Sequence, residues 1–421
     1  MRISSNTIYE LGIASMQQQT SALVNTQQQL ASGRRMLSPA DDPVAAARAL
    51  DVSQSLAMER QYGANADRAA DSLALEDSTL ASMGRVLQDV RSLAVNAGNA
   101  VLNASDRASL ALEIQGRYEE LLGLANSRDG SGRYLFAGFQ GSTQPFSETA
   151  PGAVTYNGDQ GQRLVQVAAT RQIGVGDSGA ALFQRIPTGN GSFVAQAGAA
   201  NSGAAVIDAG TVLDPLKWNA PGNSMDFSVK FAVNAGATSY DIIDNASGLS
   251  LLTGLAPGAA PYPHAYATGS AIALAQAGAP AFDFGAQIDL SGAPSDGDSF
   301  SIQPSASQDM FKTVSDLAVL LRTSGTGAAL ANGLAGSLSN LDNALANVLD
   351  ARTGAGTRLR ELDSAKLASE DRSQLHSQTL SRLQDLDYAK AASELSQQQT
   401  NLTAAQKSFA LVSGLSLFDY L

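Results

Sequence analysis

The chain has 421 residues, with 27 basic against 39 acidic side chains and a formal net charge of −12. That is enough for two or three domains, and the acidity argues against nucleic acid as a partner. Cysteine is absent and only His264 and His376 supply imidazoles, which excludes disulfides, thiol catalysis, cysteine–zinc centres and most histidine-rich metal sites.

No apolar run approaches the ~18 residues of a membrane span. Met1 to Met16 carries one positive charge and no apolar core, so neither a span nor a conventional signal peptide is expected. Three zones follow from charge. Residues 1–141 hold 12 basic and 15 acidic groups, 142–305 hold 5 and 12, and 306–421 hold 10 and 12. The outer zones read as helices laced with opposite charges. The middle zone, rich in Gly, Ala, Ser and Pro, reads as β structure with long loops.

In the first zone Tyr9, Met16, Leu23 and Leu30 recur every seven residues, and Gly33 fits the position just beyond a helix end. After a loop, Asp42-Pro43 reads as an N-cap followed by proline at the first helical position. The next helix runs toward residue 100 on the stripe Leu73, Leu80, Met83, Leu87, Val90 and Ala94. Ser105-Asp106 restarts a helix with the inner face Leu110, Ile114, Tyr118, Leu121 and Ala125. Asn126 to Gly132 is a turn.

In the middle zone, Arg163–Val167, Asp226–Val233, Tyr240–Ile243, Phe282–Leu290 and Ser299–Ile302 read as strands whose order no local signal gives. Ala271–Ala279 fits a helix or a strand. In the last zone, Met310–Leu321 is a short amphipathic helix. Beyond Gly325 and Gly327 comes a long one, with the seam Leu334, Leu338, Leu341, Leu345, Val348, Arg352, Ala355, Leu359 and Leu362 at an average spacing of 3.5. Tyr388, Leu395, Leu402 and Phe409 again recur every seven, with Ala391, Ala405 and Val412 between them.

The terminal seams are narrow. Burying them offsets only part of the entropy of ordering the segments that carry them. Two readings stay open: ends that order by pairing with each other and with neighbouring copies, or one self-contained bundle.

Chemical motifs are few. Gly174-Val-Gly-Asp-Ser-Gly179 has the G-x-G-x-x-G spacing, but Pro187 and Gly189 come too soon for the long helix that dinucleotide binding requires, so these glycines read as turn residues. Asp296-Gly-Asp298 lacks the further donors of a calcium loop and reads as a turn. Glu119-Glu120 and Asp41-Asp42 are adjacent carboxylates that diverge on a helix or cap. His264 is expected in a solvated loop, His376 as a polar bundle residue and Trp218 in local packing. No catalytic constellation emerges, so the chain is expected not to be an enzyme, and no cofactor or metal is expected.

Several blocks carry a family resemblance. They are Met1-Arg-Ile-Ser4, Gln29-Leu-Ala-Ser-Gly-Arg-Arg-Met-Leu-Ser-Pro-Ala-Asp-Asp-Pro-Val-Ala-Ala46, Gly132-Arg-Tyr-Leu-Phe-Ala-Gly138, Tyr156-Asn-Gly-Asp159, Gly297-Asp-Ser-Phe-Ser-Ile302 and Leu415-Ser-Leu-Phe-Asp-Tyr-Leu421. In combination they resemble the flagellin superfamily and, within it, the hook–filament junction family (hook-associated protein three, FlgL type). The resemblance covers roughly 1–165 and 297–421, and 185–295 resembles nothing recognisable.

The resemblance implies an α+β fold: a long helical coiled-coil bundle built from both termini, with an inserted β-rich middle domain. Its parts would be an N-terminal assembly helix and connector (1–42), two halves of a helical rod (43–141 and 306–386), a β-rich outer domain (142–305, with 185–295 as a separate insertion) and a C-terminal assembly helix (387–421). It implies a structural adaptor ring at the extracellular hook–filament junction, exported by the flagellar type III apparatus. Implied partners are copies of the chain itself, an adjacent hook-associated junction protein, flagellin and an export chaperone at the C-terminal helix. The residues implied to pack the assembly interface are Tyr9, Met16, Leu23, Leu30, Tyr388, Leu395, Leu402, Phe409 and Val412, with Asp41, Asp42 and Pro43 shaping the connector. Filament flagellin is the alternative, and a secreted ligand-binding surface protein a more distant one.

Overall fold

The computed structural model describes residues 5–414, less the side chains of Ser5, Asn6, Ile8 and 412–414. The blocks 1–4 and 415–421 and the side chain of Val412 therefore lie outside the described residues. The fold is α+β. Eight helices occur among the described residues: α1 (Ser5–Ser32), α2 (Pro43–Ala97), α3 (Ala104–Ala125), α4 (Gly179–Phe183), α5 (Pro215–Trp218), α6 (Met310–Thr323), α7 (Ala328–Gln384) and α8 (Tyr388–Gly414).

Their ends follow local chemistry. Gly33 stops α1 by taking a φ of 69°, open to glycine without penalty. Asp42 caps α2, its Oδ1 accepting the Ala45 N–H at 3.0 Å, and Pro43 opens the first turn. The restart expected at Ser105-Asp106 begins earlier. Asn103 is the cap, its side chain accepting from the Ser105 and Asp106 N–H groups while Asp106 accepts the Asn103 N–H in return. That reciprocal box satisfies two donors that a cap at Ser105 would leave open.

The chain divides into two compact units. The first contains the chain up to Asp67, Gln166–Arg171 and the chain from Asp363 onward. Here α1 packs on α8. The α2 and α7 segments are joined by Lys366–Asp67 at 2.7 Å and Arg372–Glu59 at 2.8 Å.

The second unit contains Arg68–Val165 and Gln172–Leu362. One apolar core joins α2, α3, α6 and α7: Leu80, Met83, Leu87 and Val90 meet Ile114, Tyr118 and Leu121, Val314, Leu317 and Leu321, and Leu334, Leu341 and Val348. The 3.5-residue seam of α7 is thus half of a packed interface, and its Arg352 pairs with Asp77 at 2.9 Å.

A second core lies in the β-rich region. A six-stranded antiparallel sheet runs in the order Leu249–Ser250, Ala237–Asp244, Phe227–Asn234, Ser299–Pro304 and Phe193–Ala197, with His264–Ala265 also paired to Ala237–Asp244. A four-stranded sheet places Ala271–Gln276 and Val206–Ile207 on Phe282–Ser291, which also pairs with Thr211–Val212. Trp218 is buried between Phe193 and Phe227, with ring centroids at 5.0 and 6.3 Å.

The five expected strands are present, and the open segment 271–279 forms a strand over Ala271–Gln276. The sequence reading missed Phe193–Ala197 and the hairpin Phe146–Ala150 with Ala153–Tyr156. His264 departs from the solvated loop expected for it. It is half-buried in a strand, its ring 5.7 Å from Tyr240, because pairing with Ser239 and Tyr240 draws the loop onto the sheet.

Candidate assembly interface

On α1 the residues at seven-residue spacing are joined, three positions on, by Gly12, Gln19, Thr26 and Gly33. The two sets together make an alternating 3–4 seam. On α8, Tyr388, Leu395, Leu402 and Phe409 alternate in the same way with Ala391, Gln398 and Ala405. The helices run antiparallel. Tyr9 meets Phe409 with ring centroids 4.7 Å apart, and a Cβ at Gly12 would fall 2.8 Å from Phe409 Cδ2. At the other end, a Cβ at Gly33 would fall 2.7 Å from the Tyr388 hydroxyl. The glycines are therefore sockets for aromatic side chains.

The pair is incompletely covered. Met16, Leu23, Leu30, Leu395, Leu402 and Phe409 are half-buried, Tyr9 is 50 % exposed and Tyr388 is 58 % exposed. Thr26 and Ala391 are the buried members. On α1, Ile13, Met16, Thr20 and Val24 line an open groove with Gln17 and Ser21. Leu11, Ile13, Val24 and Leu411 are exposed. The sequence analysis missed the intervening positions Gly12, Gln19, Thr26 and Gln398. Only their 3–4 spacing could have flagged them, since none is apolar enough to join a hydrophobic pattern.

The connector binds the two chain ends. The Arg35 N–H donates to Gln384 O at 2.8 Å and the Leu386 N–H to Gly33 O at 3.0 Å. Arg35 Nη2 reaches Asp42 Oδ2 at 3.3 Å and Leu383 O at 3.2 Å. Asp41 Oδ2 accepts the Leu37 and Ser38 N–H groups, both at 2.8 Å. Those bonds, from Ser38 and then Leu37, hold the Asp41 carboxyl below the usual carboxylate range. Asp387 caps α8 through the Lys390 N–H at 3.1 Å. Asp41 thus closes the turn from Leu37, Asp42 caps α2 and Pro43 begins it.

Elsewhere the polar groups serve the chain itself. A cleft of about 810 Å3 lies beside the first turns of α7. Of its lining residues, Asn332 bridges Ala205 O and the Ile207 N–H, Asn340 accepts the Gly189 N–H, and Asp309 caps α6. The Gly174–Gly179 stretch is the end of a strand, a turn and the first residue of the five-residue helix α4, with Gly176 at a φ of 99°. Asp298 is buried and accepts the Ser202, Gly203 and Ser295 N–H groups, so the Asp296–Asp298 turn is structural. No described helix is long and apolar enough to cross a membrane.

Comparison with known proteins agrees with this architecture. Residues 3–141 match the bacterial flagellin N-terminal helical region. The flagellar hook-associated protein 3 of Salmonella typhimurium is 36 % identical over 186 residues, 44 % of this chain and 58 % of that protein. The chain thus aligns with a little over half the length of that curated relative. The flagellar hook-associated protein 3 structure from Legionella pneumophila is 30 % identical with a TM-score of 0.69, covering 79 % of this chain and 98 % of that one. The Xanthomonas campestris FlgL structure is 30 % identical with a TM-score of 0.66, covering 78 % and 99 %. With nearly the whole of two such structures matched at this identity, the chain belongs to the flagellar hook-associated protein 3 (FlgL) family.

Proposed function

We propose that this protein is a non-enzymatic structural adaptor of the bacterial flagellum, forming a ring of subunits that joins hook to filament outside the cell. The observation that carries this reading is the half-covered α1–α8 pair. Its seam is partly exposed, and α1 presents an open groove beside it lined by Ile13, Met16, Thr20 and Val24. Exposed apolar faces of this kind gain by association with further helices. Neighbouring copies, an adjacent hook-associated junction protein and flagellin are the partners that fit. Tyr9, Met16, Leu23, Leu30, Tyr388, Leu395, Leu402 and Phe409 pack the interface, and Asp41, Asp42 and Pro43 hold the connector. Export through the flagellar type III apparatus, with a chaperone on the C-terminal helix, belongs to the same reading.

Deletion followed by electron microscopy tests it. Cells lacking the protein should keep hooks, lack filaments and release unpolymerised flagellin into the medium. Normal filaments would end the proposal. Amide-exchange protection of residues 5–32 and 388–414 should rise from monomer to assembly. Abundance separates the adaptor from filament flagellin, because a junction protein is a trace component of sheared filaments.

A further inference from the structure

Glu76 on α2 is 1 % exposed, although nothing in the assembly reading uses it. Its Oε1 accepts the Asp177 N–H at 2.9 Å, while Oε2 is buried without a hydrogen-bond partner. Three charged groups act on it: Asp177 from the turn after strand Arg171–Val175, Arg358 from α7, and Asp77 beside it on α2. Arg358 is committed elsewhere, with Nη2 on Asp177 Oδ2 at 2.5 Å and Nη1 on Gly174 O at 3.3 Å. Asp77 is paired with Arg352. The two Asp–Arg pairs balance, so an ionised Glu76 is the uncompensated fifth charge of the cluster and its one fully buried member.

We propose that Glu76, Asp177 and Arg358 form a pH-sensitive clasp that holds the 174–179 turn between α2 and α7 and loosens when Glu76 loses its proton. In the protonated state Glu76 still accepts the Asp177 N–H, and its second oxygen carries a hydrogen instead of a bare charge. In the ionised state a desolvated carboxylate faces the Asp177 carboxylate with no cation of its own. Burial, followed by the Asp177 charge, pushes the Glu76 carboxyl up to about 7, against the opposing pull of Arg358. Apart from Glu76 and Arg358, the turn is tied to the rest of the unit by a short set of hydrogen bonds, the Tyr156 hydroxyl at 3.4 Å from Ser178 Oγ among them. The Gly179 N–H donates to Phe136 O, Ser178 Oγ to Asp159 O, and Gln162 Nε2 to Asp177 Oδ1. The clasp is independent of the assembly reading.

The sign of the effect is fixed by linkage. A carboxyl raised on folding leaves the closed state fully stable below the ordinary glutamate value, and stability falls as pH rises toward and through the folded value. Between pH 5.5 and 8.5 the closed-to-open ratio of the turn should fall about thirtyfold. The measurement is amide exchange of residues 174–179 in the full chain, corrected for intrinsic rates. Glu76→Gln should abolish most of that fall while keeping the acceptor for the Asp177 N–H. Equal corrected protection of the wild-type turn at both pH values would overturn the clasp, as would an unchanged fall in Glu76→Gln. A carboxyl-carbon NMR titration of Glu76 in the wild-type chain guards against a variant that fails to fold. A midpoint near 7 supports the clasp and one below 5 overturns it.

Discussion

Gly12 on α1 sits against the ring of Phe409 on α8, so close that a Cβ there would approach Cδ2 to 2.8 Å. Gly12→Val should therefore displace the ring and its partner Tyr9, weakening the α1–α8 pair by about 1–3 kcal/mol. Gly63 is the control. It is also helical but has nothing within 4 Å of an added Cβ. Gly63→Ala should stabilise its helix by about 0.5–1 kcal/mol. Thermal unfolding of both variants checks the contrast, and a harmless Gly12→Val would show that the socket is not tightly filled.

The connector predicts a second pair of effects. Asp42→Ala removes the α2 cap and the Arg35 contact, at a cost of about 1 kcal/mol. Asp41 instead carries an acid sensitivity. Its carboxyl is held low by the Ser38 and Leu37 N–H groups, so its contribution is present above the ordinary aspartate value and lost as pH falls through the lowered one. Asp41→Asn should lower stability in the neutral region and flatten the acid limb of a stability-against-pH curve, so that the two proteins converge at low pH. An identical acid limb in both proteins would contradict this.

A stripe on α7 gives a third prediction. Asn332, Ser339, Asn340, Asn343 and Asn347 each hydrogen-bond main-chain groups of the 182–207 segment. Asn332 both donates to Ala205 O and accepts the Ile207 N–H, so Asn332→Ala strands two polar groups at once and should cost about 1–3 kcal/mol. Trp218 is the chain's one tryptophan and is buried in the same apolar core as Ile207. Its fluorescence should report the lowered urea midpoint. Asn332→Asp, which keeps an acceptor and loses the donor, should fall between wild type and Asn332→Ala.

The legibility of these features differs for physical reasons. The leucine seam of α7 was readable because burial of apolar groups leaves a 3.5-residue period in the sequence. The asparagine stripe on the same helix was not, since its partners are main-chain carbonyls and N–H groups more than a hundred residues away. The Gly12 and Gly33 sockets escaped a hydrophobic pattern because a socket is defined by the side chain it lacks. Strand order failed for a related reason. Ser299–Pro304 lies between Phe227–Asn234 and Phe193–Ala197, partners far off in sequence that no local turn specifies. Among the interface candidates, the seven-residue spacings include Tyr9 and Phe409, whose rings meet across α1 and α8. They did not reveal that Tyr9 remains half-exposed and Tyr388 more than half-exposed there.

Glu59 on α2 supplies the last prediction. Its side chain is 13 % exposed and accepts from Arg372 Nε at 2.8 Å, Arg372 Nη2 at 3.1 Å and Ser369 Oγ at 2.8 Å. Burial alone would raise this carboxyl, but the bonds from Arg372 and Ser369 outweigh it and hold the group below the usual range. Arg372→Ala leaves a mostly buried carboxylate with Ser369 as its one remaining side-chain donor and should cost about 1–2 kcal/mol at neutral pH, the half-exposed arginine limiting the loss. Arg372→Lys should recover part of that, because a point charge replaces one arm of a two-armed contact. The wild-type advantage should shrink as pH falls through the lowered Glu59 value, since protonation discharges the carboxylate that arginine was holding. Melting temperatures of the three proteins from pH 3 to pH 7 should therefore converge at the acid end. Curves that stay parallel would mean that the arginine acts through packing of its stem and not through the carboxylate.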